Sequence, residues 1–436
     1  MPLRRFVSFF LFSILLIPLS AFSASPARTP LDDYVAAPDP SYSWTMLSTE
    51  PFYGFAGTGE SEGTIYTARM ISQKWQNESD SNRSTWTHFL YLAVPFGGDP
   101  GTVLLIINGG SVRSTPSDIS EYAFIASLMG CSLAMLDFVP NEPIRFTGES
   151  FNRTEDAIIA YTYDKYMDLY QEGEEHPEPE WPLLMPMVKS SVRAMDTIEA
   201  IMDQYEHRSV NQFIVGGASK RGWTTWLTGA VDKRVKGIVP IVIDVLNMGK
   251  QMKHHKNAYS SYDPNDGAHH MYKGYSDAVD DYTAFDIFDR LDTPEGRALM
   301  EIIDPFTYRD RLTMPKMIVN STGDQFFLSD GIKFYHDYLP GPTYLMYMPN
   351  TDHSLNIDTS NMAVLVNLLS FLKAFIPNSG VTFPKIDWAF QEDGSIRVAT
   401  EGTPQSVTLR QAHNDTNRDF RLENVGAIWT SSALTD

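Results

Sequence analysis

A serine hydroxyl becomes a nucleophile only in company. It needs a base to take its proton, an acid to orient that base, and donors for the oxyanion that forms. The stretch Gln212-Phe213-Ile214-Val215-Gly216-Gly217-Ala218-Ser219-Lys220-Arg221-Gly222-Trp223 offers such a serine. Phe213 to Val215 is a short apolar run, and Trp223, Trp226, Leu227 and Ala230 follow at helical spacing. The pattern predicts a strand, a very tight turn with Ser219 at its apex, and a helix. Only small neighbours fit around a turn this tight, and Gly217 and Gly222 supply them. The hydroxyl would stand at a helix N-terminus, whose dipole favours developing negative charge. The spacing is G-x-S-x-x-G rather than G-x-S-x-G, so a glycine-rich turn with an incidental serine fits the same stretch.

In a strand–turn–helix site of this kind the partners follow in the order serine, acid, histidine, each past the end of a later strand. Asp324 follows an apolar run from Pro315 to Asn320, and His353 follows one from Tyr344 to Met348. Asp244 is a rival acid, because it ends the strand Val235 to Val242. Asp330 reads as a helix cap. Asp352 adjoins His353 and would point away from it. The oxyanion donors expected are the backbone N–H of Lys220 and one from Gly109 or Gly110, in the loop Asn108 to Ser111. The Lys220 side chain reads as a solvent-facing charge; the alternative is a cation that steadies the oxyanion or greets an acidic substrate. His254-His255 and His269-His270, with Asp263 and Asp266, lack the spacing of a zinc site. They read as a polar, aromatic cap in which Tyr259, Tyr262, Tyr272, Tyr275 and Tyr282 line a pocket. No metal and no cofactor is implied.

The elements that must position these residues alternate. Thr64 to Lys74 and Trp86 to Pro95 read as strands. Thr102 to Ile107, Ser132 to Val139 and the runs named above are continuous and apolar, as in strands covered on both faces. Helices are expected at Glu121 to Met129, Val188 to Tyr205, Ile332 to Tyr338 and Met362 to Phe375, the last apolar nearly all round. The fold class expected is α/β, an α/β-hydrolase fold with a mostly parallel central sheet. Two stretches break the alternation and read as cap insertions, at about 141–185 and 245–312. The first is acidic and aromatic, either a lid or a solvated excursion. Residues 24–50 read as an extended arm opening a body that spans 24–376. Residues 377–436 form a small β module, with a hairpin at Ile386 to Phe390 and Ser395 to Thr400 and a third strand at Val407 to Ala412.

The chain of 436 residues carries a formal net charge of −20, which repels phosphate backbones and argues against nucleic acid as a partner. Arg4-Arg5, an apolar run from Phe6 to Leu19 and then small residues read as a signal peptide over 1–23. Secreted or periplasmic localisation follows, with no stable membrane span after processing. The one cysteine, Cys131, lies in an apolar run and reads as a buried strand residue. Asn77, Asn82, Asn152, Asn320 and Asn414 head glycosylation sequons.

The elbow Gly217 to Trp223 resembles the PhoPQ-activated pathogenicity-related family. So do Asp304-Pro305, the run Leu312 to Asp330, Pro349 to His353, and Arg418-Asp419-Phe420-Arg421. The resemblance implies a secreted or periplasmic α/β-hydrolase with a C-terminal β module, and it supports Ser219, Asp324 and His353. Relatives include secreted autocrine proliferation repressors of amoebae, which act as extracellular signals. Members usually continue past the Arg-Asp-Phe-Arg motif for longer than this chain does. The Ser219-Lys220 pair alone is similar to the elbow of glucuronoyl esterases, where the residue after the serine helps hold the oxyanion.

Two functions are therefore expected in turn. The first is a secreted serine hydrolase acting through an acyl-enzyme on a small-molecule, peptide or carbohydrate-ester substrate. The second is an extracellular signalling protein that keeps the scaffold without turnover and whose partner is a cell-surface receptor.

Overall fold

The computed structural model describes residues 28–53, 60–171, 178–259, 274–355, 362–415 and 417–434. The stretch read as a signal peptide lies outside them, as do Tyr262, Asp263, Asp266, His269, His270 and Tyr272. Nine strands run in chain order: β1 Ser43–Tyr53, β2 Ser61–Lys74, β3 Thr85–Pro95, β4 Asp99–Ile107, β5 Cys131–Leu136, β6 Gln212–Ala218, β7 Val235–Ile241, β8 Lys316–Ser321 and β9 Thr343–Met348. They form one sheet in the order β1-β2-β3-β5-β4-β6-β7-β8-β9. The strands from β5 to β9 are mutually parallel, and β1, β2 and β3 close the other edge antiparallel. The crossover between β4 and β5, the reversed β3 and the helical connections are those of the α/β-hydrolase fold.

Alternation along the parallel strands explains the two-sided core. Phe213 and Val215 enter one apolar cluster, and Ile214 between them enters the other. Helices α1 Pro30–Ala36, α2 Ser120–Met129, α3 Asp156–Leu169, α4 Leu184–Ile201, α5 Lys220–Val231, α6 Met248–Tyr259, α7 Asp280–Thr283, α8 Pro294–Ile303 and α9 Met362–Lys373 complete the body. Helices α4 and α5 bury their apolar faces in the first cluster, α2 and α9 in the second. Trp223, Trp226, Leu227 and Ala230 of α5 are all buried against the sheet. Burying a large apolar side chain such as Leu227 contributes about 1.5–3 kcal/mol, so α5 is firmly seated beneath the turn it starts from.

Several expectations change. The described part of the stretch read as an extended arm, residues 28–50, is not one: α1 and β1 form there. The Thr29 hydroxyl and the Asp32 carboxylate cap α1 reciprocally. The 141–185 stretch holds a full helix, α3. Ile332 to Tyr338 is two short 3₁₀ turns rather than one helix. Helix α9 is less covered than its composition predicts, with Val366 53% exposed. The C-terminal region makes two separate ribbons, Ile386–Phe390 with Ile396–Thr400, and Val407–Gln411 with Thr430–Leu434. Asn320 is buried, so its sequon is closed to modification in the folded chain. Cys131 is buried in β5, where burial, aided by the Asp99 charge, pushes its thiol up to about 12. Among the described residues no helix is long and apolar enough to cross a membrane.

Candidate active site

Ser219 stands between β6 and α5 with φ 55° and ψ −128°. A residue with a side chain rarely holds this conformation. Two contacts hold it here. The Ser219 N–H donates to the Ile241 carbonyl at 2.8 Å, and its own carbonyl caps the helix through the Trp223 N–H at 3.0 Å. The flanking glycines are there for space. A Cβ on Gly217 would lie 2.7 Å from the Arg221 carbonyl oxygen, and one on Gly222 2.6 Å from Ile243.

His353 Nε2 lies 2.9 Å from the Ser219 hydroxyl oxygen. On its other side, Nδ1 lies 2.8 and 3.0 Å from the two oxygens of Asp324. The Asp324 carboxylate is buried and takes a further hydrogen bond from the Phe326 N–H at 2.7 Å. The Gln325 side chain accepts from the His353 N–H at 3.0 Å, tying the acid turn to the histidine turn. Serine, imidazole and carboxylate are thus joined in one line of hydrogen bonds.

The rival acids are elsewhere. Asp244 is fully buried at the end of β7, and neither of its oxygens has a hydrogen-bond partner among the described residues. Burial, with the nearby Asp324 and Asp330 charges, pushes its carboxyl up to about 7 despite the adjoining Tyr335 hydroxyl. Asp330 caps no helix with its side chain; its carboxylate binds His254 at 2.7 Å, Lys333 at 2.8 Å, and Arg418. Asp352 accepts from the N–H and hydroxyl of Ser354 and leaves the imidazole alone.

The side chain of Lys220 is not the solvent-facing charge its position predicts. It is 6% exposed, with Nζ 2.6 Å from Glu155 and 3.1 Å from Asp156. Neutralised in this way, it can neither greet an acidic substrate nor sit over an oxyanion. Arg221 beside it grips Glu155, and its Nε donates to the Val139 carbonyl at 2.5 Å. The guanidinium also packs so closely on Gly109 that a Cβ there would strike it. The Gly109 loop is further braced by Asp137, which accepts from Asn108 at 2.8 Å and pairs with Arg113 at 2.5 Å. Burial opposes ionisation of Glu155, but the Arg221 hydrogen bonds and Lys220 charge outweigh it and hold the carboxyl low. Its neighbour Glu142 is pushed up by burial and the Glu155 charge. These bracing residues escaped the sequence reading; no spacing rule links Glu155 to a basic pair 65 residues later.

Of the tyrosines expected in the cap, Tyr282 lines the cavity beside Ser219. Tyr259 and Tyr275 pack around the buried His255 instead, at 4.7 and 5.7 Å between ring centroids. His255 accepts from the Ser276 N–H, and burial brings its imidazole down to about 3. Among the described residues no three His, Cys, Asp or Glu side chains are grouped to hold a metal.

Comparison with known proteins gives the chain relatives. The family model described as PhoPQ-activated pathogenicity-related protein matches residues 31–421. Autocrine proliferation repressor protein A of Dictyostelium discoideum is 34% identical over 422 residues, covering 94% of this chain and 79% of that protein. Among solved structures, acetyl xylan esterase 1 from a Thermoanaerobacterium species superposes with a TM-score of 0.47 at 12% identity, over 79% of this chain and 93% of that one. A glucuronoyl esterase from Solibacter usitatus gives 0.42 at 14%, over 78% and 90%. At such identities the substrates of those esterases do not carry over. The family model spans both halves of the sheet and includes Ser219, Asp324 and His353, and the chain belongs to the PhoPQ-activated pathogenicity-related protein family.

Proposed function

We propose that the protein is a secreted serine hydrolase that cleaves an ester or amide through an acyl-enzyme. The observation that carries this reading is the unbroken line Ser219–His353–Asp324, with both links at 3.0 Å or less. His353 Nε2 takes the Ser219 proton as the oxygen attacks the substrate carbonyl carbon. The oxyanion meets the free backbone N–H of Lys220, at the first turn of α5, and one from Gly109 or Gly110. The tetrahedral adduct collapses, the bond to the leaving group breaks, and Nε2 returns the proton to that group. Water then attacks the acyl-serine, gives a proton to Nε2, and the acid departs as Ser219 regains its hydrogen. Asp324 keeps the imidazole in the useful tautomer and offsets its charge while it is protonated. The reading includes a signal peptide over 1–23 and export of the mature chain.

A fluorophosphonate probe tests this directly. Labelling of the wild-type protein that disappears in both Ser219→Ala and His353→Ala is the expected result. A folded wild-type protein that takes no label and turns over no ester would sink the proposal.

The name of the Dictyostelium relative favours a second reading, an autocrine signal that represses proliferation. A growth assay with the Ser219→Ala protein separates the two. Full repression by that variant would mean that turnover is dispensable to the biological role.

A further inference from the structure

Beside Ser219 a cavity runs under the cap insertions, and its wall describes what it admits. Trp223, Ile243, Val245, Met248 and Met252 form its depth. Phe326 and Phe327 close it on the side of His353, their rings 4.4 and 6.1 Å from the imidazole. Ser219 is itself among the lining residues, so the cavity reaches the reacting atoms. Its only charged lining groups among the described residues are Lys220 and Asp156, which pair with each other at 3.1 Å. Asp156 also accepts from the Tyr282 hydroxyl at 2.8 Å, and Lys220 is paired again by Glu155. The remaining polar lining groups are neutral: the hydroxyls of Ser219, Tyr163 and Tyr282, and the Trp223 indole N–H, which donates to the Ile303 carbonyl. A charged group entering this space would lose its water and find no free counter-charge among the described lining residues.

Size sets the second limit. The cavity has a volume of about 40 Å³. Set against the roughly 10–15 Å³ of a single water, this is room for a small group rather than a long chain. The methionines are adaptable and let the wall yield slightly, but the tryptophan and phenylalanines are not.

We infer that the substrate is an ester whose acyl group is compact, uncharged and apolar, about the size of butyryl, and that it seats against Met248 and Met252 with its carbonyl at Ser219. The inference rests on the hydrolase reading and narrows it. Against the described wall, acyl groups bearing a carboxylate, uronic acids and succinyl among them, should be poor substrates.

The test compares kcat/KM for the 4-nitrophenyl esters of acetate, butyrate, octanoate and hemisuccinate, beside fluorophosphonate labelling of the same preparation. The value should rise about fourfold per added methylene from acetyl to butyryl. It should fall at least tenfold at octanoyl, and the hemisuccinate should run at least a hundredfold below butyrate. Met252→Ala should move the optimum to hexanoyl or longer, with labelling intact. A labelled enzyme with a flat chain-length profile, or one preferring the hemisuccinate, overturns the acyl pocket and leaves the hydrolase reading standing. Neither labelling nor ester turnover overturns both.

Discussion

The guanidinium of Arg221 holds the carboxylate of Glu155 through both terminal nitrogens, at 2.7 and 2.8 Å. Glu155 also takes Lys220, so one anion balances two cations that are 11% and 6% exposed. It does so from a strained backbone, φ 51°, at the start of α3. The 141–185 stretch is thereby locked to the two residues that follow Ser219. Glu155→Ala would leave Arg221 without its partner and Lys220 with Asp156 alone. Glu155 itself is 40% exposed, which limits the cost to about 2 kcal/mol. Urea denaturation measures this. Arg221→Lys should recover little of an Arg221→Ala loss, because a lysine cannot make the fork or pack flat on Gly109.

The choice of acid is open to a direct contrast. Asp324→Asn should lower kcat on a 4-nitrophenyl ester by about 10⁴-fold, because the imidazole loses its orienting acceptor. Asp244→Asn should stay within about tenfold of wild type, since Asp244 makes no hydrogen bond to His353. A reversal of these two results would reassign the acid.

Asp244 should instead be visible in stability. Its carboxyl, raised to about 7 by burial, keeps its proton when the unfolded chain has released it. Its contribution is therefore full below the unfolded value near 3.8 and is lost as pH rises through 7. Asp244→Asn removes that dependence. Its stability relative to wild type should improve between pH 4 and pH 8 by on the order of 3 kcal/mol. Paired thermal melts at the two pH values check the sign, and a difference that does not change with pH would refute it.

The C-terminal motif has a structural task beside the acid turn. The Leu422 N–H donates to the Gly323 carbonyl at 3.1 Å. Asn350, in the histidine turn, exchanges two hydrogen bonds with the Trp429 backbone at 3.0 and 2.9 Å. Arg421 and Asp419, 1% and 3% exposed, form the buried pair that shapes this segment. Arg421→Ala should cost about 3–5 kcal/mol by stranding the Asp419 charge. Removing both groups should cost less than the sum of the two single changes, which a double-mutant cycle in urea would read. The acid turn rests on this segment, so Arg421→Ala should also lower kcat.

By itself the sequence determined what local rules can reach. A strand, a glycine-flanked turn and an amphipathic helix within twenty residues announced the Ser219 elbow, since each signal couples neighbours a few positions apart. The parallel sheet was legible in continuous apolar runs, because strands covered on both faces need no polar alternation. The order of Asp324 and His353 was legible from the strands they follow. The tertiary structure alone shows which of Asp324 and Asp244 lies beside His353. Both end strands, but only Asp324 comes within 2.8 Å of the imidazole. It also decided that Lys220 is buried and paired, because its counter-charges arrive from an insertion 64 and 65 residues earlier. The same holds for Leu422 on Gly323, where the meeting depends on how the chain returns across the sheet. Side-chain pairing over such separations is set by packing of whole elements, and no residue spacing records it.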